Sequence, residues 1–224
     1  MQLKKIIDLS QSFMEAGYQN PAFDDGRLEV CMEHDADGWH AEKIIAATHT
    51  GTHIDSPFHK IKNGRSIDKF PLDRFIRKAV VIDLYSKKED EEILRGDLEK
   101  YDALINPGMI VLLCTGWTDK RKPKTKDIYL YHSPWLGESA SLYLVEKDIS
   151  AVGIDHFSIG GAAPDKVEIP HNILLGAEVL IFEGLRLPVE LFERKTWYVS
   201  AFPIKAENAS GMPARIVAMD WESD

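Results

Sequence analysis

Apolar positions along this chain gather in short runs rather than in long helical stripes. Runs rich in Val, Ile, Leu and aromatic residues occupy 5–9, 28–32, 44–49, 78–84, 109–114, 151–154, 179–182, 197–202 and 215–219, the length and make-up of β-strands. Helical patterns are fewer. They cover 98–104, with Asp97 offered as an N-cap, 141–147, and 172–177 just after Pro170. Strands outnumber helices and the two do not alternate regularly, so the pattern predicts an α/β protein with a mixed sheet. It lacks the repeat of a doubly wound fold or an eightfold barrel. At 224 residues the chain is expected to be one domain spanning 1–224.

Composition narrows the class. Apolar residues at 44% and charged residues at 28% are ordinary globular values, and no segment approaches the roughly 18 unbroken apolar residues of a membrane span. The first ten residues hold two lysines but no long apolar region and no small-residue cleavage site, so they read as a first strand and not as a secretory signal. Two cysteines, Cys31 and Cys114, fit a reducing compartment, and a cytoplasmic location is the expectation. The net charge of −9 opposes non-specific nucleic-acid binding. The dense basic run at 120–126 comes without a recognition motif and reads as a solvated loop, or more weakly as an attractor for an anionic substrate.

The segment 117–138 is the longest without confidently predicted structure, and it holds Trp117, Tyr129, Tyr131, His132 and Trp135. Two readings stand for it: a lid whose aromatics line an aryl-binding pocket, or a packed surface loop. His34, His40, His132 and His156 are read as polar residues outside any site.

Chemistry concentrates in His49-Thr50-Gly51-Thr52-His53-Ile54-Asp55-Ser56-Pro57-Phe58-His59, which carries three of the eight histidines and an aspartate. Residues 49, 53, 55 and 59 share one parity, so an extended backbone would point all four side chains the same way. Gly51 and Pro57 argue against a helix here, which places the motif on a strand that ends in a tight loop. Imidazole with carboxylate suits a borderline divalent ion such as zinc, with manganese or iron as alternatives. Closed structural zinc sites favour paired thiolates, and the chain has no CxxC, so an open site is expected.

These residues resemble the HxGTHxDxPxH signature of the cyclase family of metal-dependent hydrolases, which includes arylformamidases (kynurenine formamidases) and isatin hydrolases. His171-Asn172-Ile173-Leu174-Leu175 and Glu183-Gly184-Leu185 resemble its HxxLL and EGL elements, and 201–215 is similar to its closing strands. The resemblance implies a swivelling β/β/α-type fold with a barrel-like sheet and flanking helices. It implies one or two ions, with His49, His53 and Asp55 on the first and Asp55, His171 and Glu183 on the second. His59 would be the general acid/base, and the protein a homo-oligomer. Members often carry SxD where this chain has Ser158-Ile159-Gly160, a departure that bears on substrate choice.

A metal with an open position activates water and polarises a carbonyl, and a general acid must protonate a leaving nitrogen. That chemistry is amide hydrolysis, and the resemblance to arylformamidases implies an N-formyl aryl amine as the substrate, giving amine and formate. Opening of a cyclic amide, a cyclase or dehydratase reaction, and non-catalytic metal-dependent binding of a small molecule are the alternatives. Asp155 is read either as orienting a ligand imidazole or as a turn residue.

Overall fold

The computed structural model describes residues 2–13, 20–121 and 126–222. Its strands are β1 (Gln2–Asp8), β2 (Arg27–Met32), β3 (Ala41–Ile45), β4 (His53–Asp55), β5 (Ile76–Asp83), β6 (Glu92–Ile93), β7 (Ile110–Cys114), β8 (Trp135–Leu136), β9 (Ala151–Ile154), β10 (Leu180–Glu183), β11 (Thr196–Pro203) and β12 (Gly211–Glu222). The helices are α1 (His34–Asp37), α2 (Arg95–Glu99), α3 (Trp117–Arg121), α4 (Lys126–Tyr131), α5 (Glu138–Glu146) and α6 (Pro164–Gly176).

The main sheet runs β1-β12-β11-β5-β7-β9-β10-β4, and β4 also pairs with β12, closing seven strands into a barrel. Steps β5–β7–β9–β10 are parallel and the rest antiparallel, the mixed sheet that the sequence predicts. Closure depends on β12. Its first residues, Gly211–Pro213, pair with β4 and its later ones with β1, while β11 takes the opposite edge.

Strand periodicity divides the apolar residues between two cores. Ala79, Val81, Ile110, Leu112, Leu180 and Phe182 fill the barrel together with Trp197, Val199, Ile216 and Ile54. The alternate positions Val80, Ile82, Val111, Leu113 and Ile181 pack with Tyr143 and Leu144 of α5 and Leu174 and Leu175 of α6. All five residues of β7 are buried, as expected of a parallel strand covered on both faces. Among the described residues no helix is long and apolar enough to cross a membrane.

Three local expectations are corrected. The run 44–49 leaves the sheet at Ile45, because β3 pairs only with β2 in a separate two-stranded sheet. Asp97 is not an N-cap: it lies inside α2, and its carboxylate accepts from the Leu94 N–H at 2.9 Å. Helix α6 starts at Pro164 and runs through Pro170, which is buried, so packing overrides the local penalty of a prolyl ring in a helix.

The 117–138 segment is largely structured. Trp117 and Tyr129 are buried with Leu130 and Phe157, and the Trp117 indole donates to the Tyr129 carbonyl. They anchor rather than cover. His132 pairs with Asp90 at the surface. Residues 122–125 of the basic run lie outside the described residues.

Candidate metal centre

The signature segment folds as a turn, a short strand and a tight 3-10 turn, so the expected strand and closing loop are present but the strand is confined to 53–55. His49 lies in the turn, His53 and Asp55 on β4, and His59 at the end of the 3-10 turn Pro57–His59. Shared parity therefore aligns only His53 with Asp55; turns bring the other two. The β4–β10 register sets Glu183 directly opposite His53, and α6 supplies His171. All six predicted site residues converge, and all but His59 are buried.

Backbone close approach makes this convergence possible. Gly184 has φ +64°, and a Cβ there would stand 2.3 Å from the Gly51 carbonyl oxygen, so only glycine lets the turn after Glu183 touch the turn before His53.

Two histidines are oriented by backbone carbonyls. His53 Nδ1 lies 2.9 Å from the Gly51 oxygen and His171 Nδ1 lies 2.6 Å from the Val167 oxygen. Each Nδ1 therefore carries a proton, and each Nε2 faces inward as the atom that an ion could take once it is deprotonated. The His53 Nε2 is 3.3 Å from Asp55 Oδ1 and 3.4 Å from Glu183 Oε2, and the His171 Nε2 is 3.2 Å from Glu183 Oε1 and 3.7 Å from Asp55 Oδ2. His49 Nδ1 lies 2.7 Å from Asp55 Oδ1, with its Nε2 2.9 Å from the Ser210 hydroxyl.

Asp55 has no solvent exposure, and its Oδ2 is buried without a hydrogen-bond donor. Such an orphaned carboxylate oxygen is costly unless a cation meets it. The donor set fits a divalent ion: ligand atoms of His53, Asp55 and Glu183 lie within 4.8 Å of one another, as do those of His49, Asp55 and His59. Asp55 belongs to both groups and is placed to bridge. This grouping differs from the division that the resemblance implies, since His59 stands beside His49, their rings 4.1 Å apart, and His53 stands with Glu183.

Without an ion the cluster is strongly polarised. Burial opposes charge on His53, but Asp55 and Glu183 outweigh it and push the imidazole up to about 10. His171 is raised against burial mainly by Glu183. Burial and the Asp55 charge oppose ionisation of Glu183, yet His171 and His53 bring it down to about 2. Hydrogen bonds from His49 and His53 hold Asp55 well below the carboxylate range despite burial. His59 goes the other way: burial, aided by His49 and His171, pushes it down to about 4, so it is neutral at pH 7.

Asp155 does not orient a ligand imidazole. Its carboxylate accepts from the Thr115 N–H and hydroxyl and from the Trp117 N–H, which fixes the turn after β7. Burial pushes it up to about 6. His156, read from sequence as an ordinary polar residue, is fully buried, with its Nδ1 3.1 Å from the Ser133 hydroxyl and its Nε2 2.9 Å from the Tyr129 carbonyl. Gly160 packs against α6, where a Cβ would stand 2.6 Å from Val167 Cα. No aspartate fits there without moving the helix. Sequence reasoning missed Ser210, whose only signal was its place in the closing-strand resemblance.

The cluster floors a cavity of about 350 Å³ walled by Phe23, Tyr131 and Phe157. Of the aromatics expected to line a pocket, only Tyr131 does so.

The family model described as "Putative cyclase" matches residues 7–160. A kynurenine formamidase of Bacillus anthracis is 26% identical over 218 residues, covering 97% of this chain and 98% of the relative. Isatin hydrolase A from Labrenzia aggregata superposes with a TM-score of 0.84 at 26% identity, covering 97% of this chain and 94% of that one. A protein described as a potential metal-dependent hydrolase with cyclase activity gives a TM-score of 0.78 at 25% identity over 98% and 99% of the two chains. The family match takes in His49, His53, Asp55 and His59 and extends over more than half of the sequence, and on that ground the chain belongs to the cyclase family.

Proposed function

We propose that this protein is a metal-dependent amide hydrolase that cleaves an N-formyl aryl amine to the amine and formate, with zinc as the first choice of ion and manganese as the second. The observation that carries the reading is the orphaned, buried Asp55 Oδ2 in a His/carboxylate cluster, with a neutral imidazole, His59, beside it. His49, His53, Asp55, His171 and Glu183 would hold one or two ions. A bound divalent ion supplies Lewis acidity, which activates water near neutral pH and polarises the carbonyl under attack.

The chain's own groups do the rest. His59, neutral at pH 7, accepts a proton from the attacking water as the new C–O bond forms. The same nitrogen then returns that proton to the amide nitrogen as the C–N bond breaks, since an amide anion leaves poorly. Phe23, Tyr131 and Phe157 offer aromatic walls for the aryl group.

Likeness to isatin hydrolase A favours a second reading, opening of a cyclic amide by the same groups. The reading also takes the protein as a homo-oligomer. Supporting this, Leu28, Val30 and Ile44 of the β2–β3 hairpin are exposed, and a lone two-stranded hairpin is marginally stable in water.

The test is N-formylkynurenine offered to metal-loaded protein. Amine and formate should appear in equal amounts and stop on chelation; absence of amide cleavage of any kind would leave a metal-dependent binding protein.

A further inference from the structure

We infer that Lys60 and Glu168 form a recognition pair for a zwitterion, so that the preferred amide carries both an ammonium and a carboxylate, as an α-amino acid does. The inference rests on the amide-hydrolase reading and deepens it by naming the residues that would select the substrate. Apart from the cluster residues, these two are the charged side chains among the described residues that line the cavity. Each is tied to the cluster by sequence position. Lys60 directly follows His59 at the end of the 3-10 turn, and Glu168 lies three residues before His171, on the same face of α6.

Their charged ends meet at 2.8 Å, with the Lys60 side chain 22% exposed and that of Glu168 50% exposed. An ion pair this open to water contributes little to stability, so a ligand can part it cheaply. A ligand with one charge would satisfy one member and strand the other. A zwitterion exchanges one ion pair for two: its carboxylate meets Lys60, its ammonium meets Glu168. A neutral cyclic amide has nothing to offer either. Phe23, Tyr131 and Phe157 line the same cavity, so a ligand held by this pair also has aromatic surface within it.

The experiment compares N-formylkynurenine, a zwitterion, with neutral N-formylaniline in wild type, Lys60→Met, Glu168→Gln and the charge-exchanged double variant K60E/E168K. The ratio of kcat/KM for the zwitterion over the neutral amide should fall about tenfold or more in each single variant, through KM, as expected for loss of a charged hydrogen bond. The double variant retains an ion pair between the 3-10 turn and α6, so a merely structural pair predicts a wild-type ratio there, whereas recognition predicts a lowered one. Binding of kynurenine by calorimetry is measured alongside and requires no turnover. If neither amide is cleaved but kynurenine binds wild type and loses about tenfold in Lys60→Met, the hydrolase reading fails and the recognition pair stands. An unchanged ratio with unchanged kynurenine affinity overturns the pair while leaving the hydrolase reading intact.

Discussion

The Thr52 hydroxyl donates to the Gly184 carbonyl at 2.6 Å and accepts from the Gln11 N–H at 2.9 Å. This one side chain joins the turn before His53 to the turn after Glu183, the cross-strand pair at the heart of the cluster. Thr52→Val preserves shape but removes both hydrogen bonds while the Gln11 side-chain amide stays on the Gly184 carbonyl at 2.9 Å, so thermal unfolding should show a loss of about 0.5–1.5 kcal/mol. Thr52→Ser, which retains the hydroxyl, should recover most of it.

Metal uptake should release protons. His53, held up to about 10, is protonated at pH 7 in the ion-free protein, and an ion must displace that proton. Calorimetric titrations in buffers of different ionisation enthalpy should show proton release at pH 7, with apparent affinity rising as pH rises. Linkage gives the companion sign. A histidine whose folded pKa is raised stabilises the fold fully below its unfolded value and ceases to do so as pH climbs through the folded one. Ion-free protein should therefore lose melting temperature between about pH 6.5 and 10 on account of His53.

His59→Asn separates a proton carrier from a ligand. Because a positioned acid/base group is typically worth about 10²–10⁴-fold, kcat should fall by that order. Metal content by elemental analysis should stay at the wild-type level. A matching loss of metal would instead make His59 a ligand, as its place beside His49 and Asp55 allows.

Gly160→Ala should destabilise the protein by about 1–3 kcal/mol, since the added methyl group meets the backbone of α6 at Val167. The same strain displaces the carbonyl that orients His171, so metal retention should fall together with melting temperature.

Much of this site was legible in the sequence because its residue types are rare in combination. Three imidazoles and a carboxylate in eleven residues marked 49–59 before any geometry, whereas His171 and Glu183 came only from the resemblance to the family's HxxLL and EGL elements. What the sequence pattern could not carry was the path between ligands. Residue types suggested a strand ending in a tight loop, and the strand is there only at 53–55, where β10 and β12 flank it, with His49 in the turn before and His59 in the 3-10 turn after. The strands around the barrel were readable from their apolar runs; closure was not, because it depends on β12 serving β4 and β1 along one edge. The aromatics of 117–138 misled for a plain reason: pocket walls and buried anchors draw on the same residue types, and Trp117 and Tyr129 are anchors.

Metal-loaded, chelated and re-metallated protein, each assayed for bound ion and for hydrolysis of N-formylkynurenine, tests the central claim most directly. Turnover should vanish with the ion and return in proportion to the ion restored. Turnover that persists in fully chelated protein would contradict a hydrolase built on the Asp55 cluster.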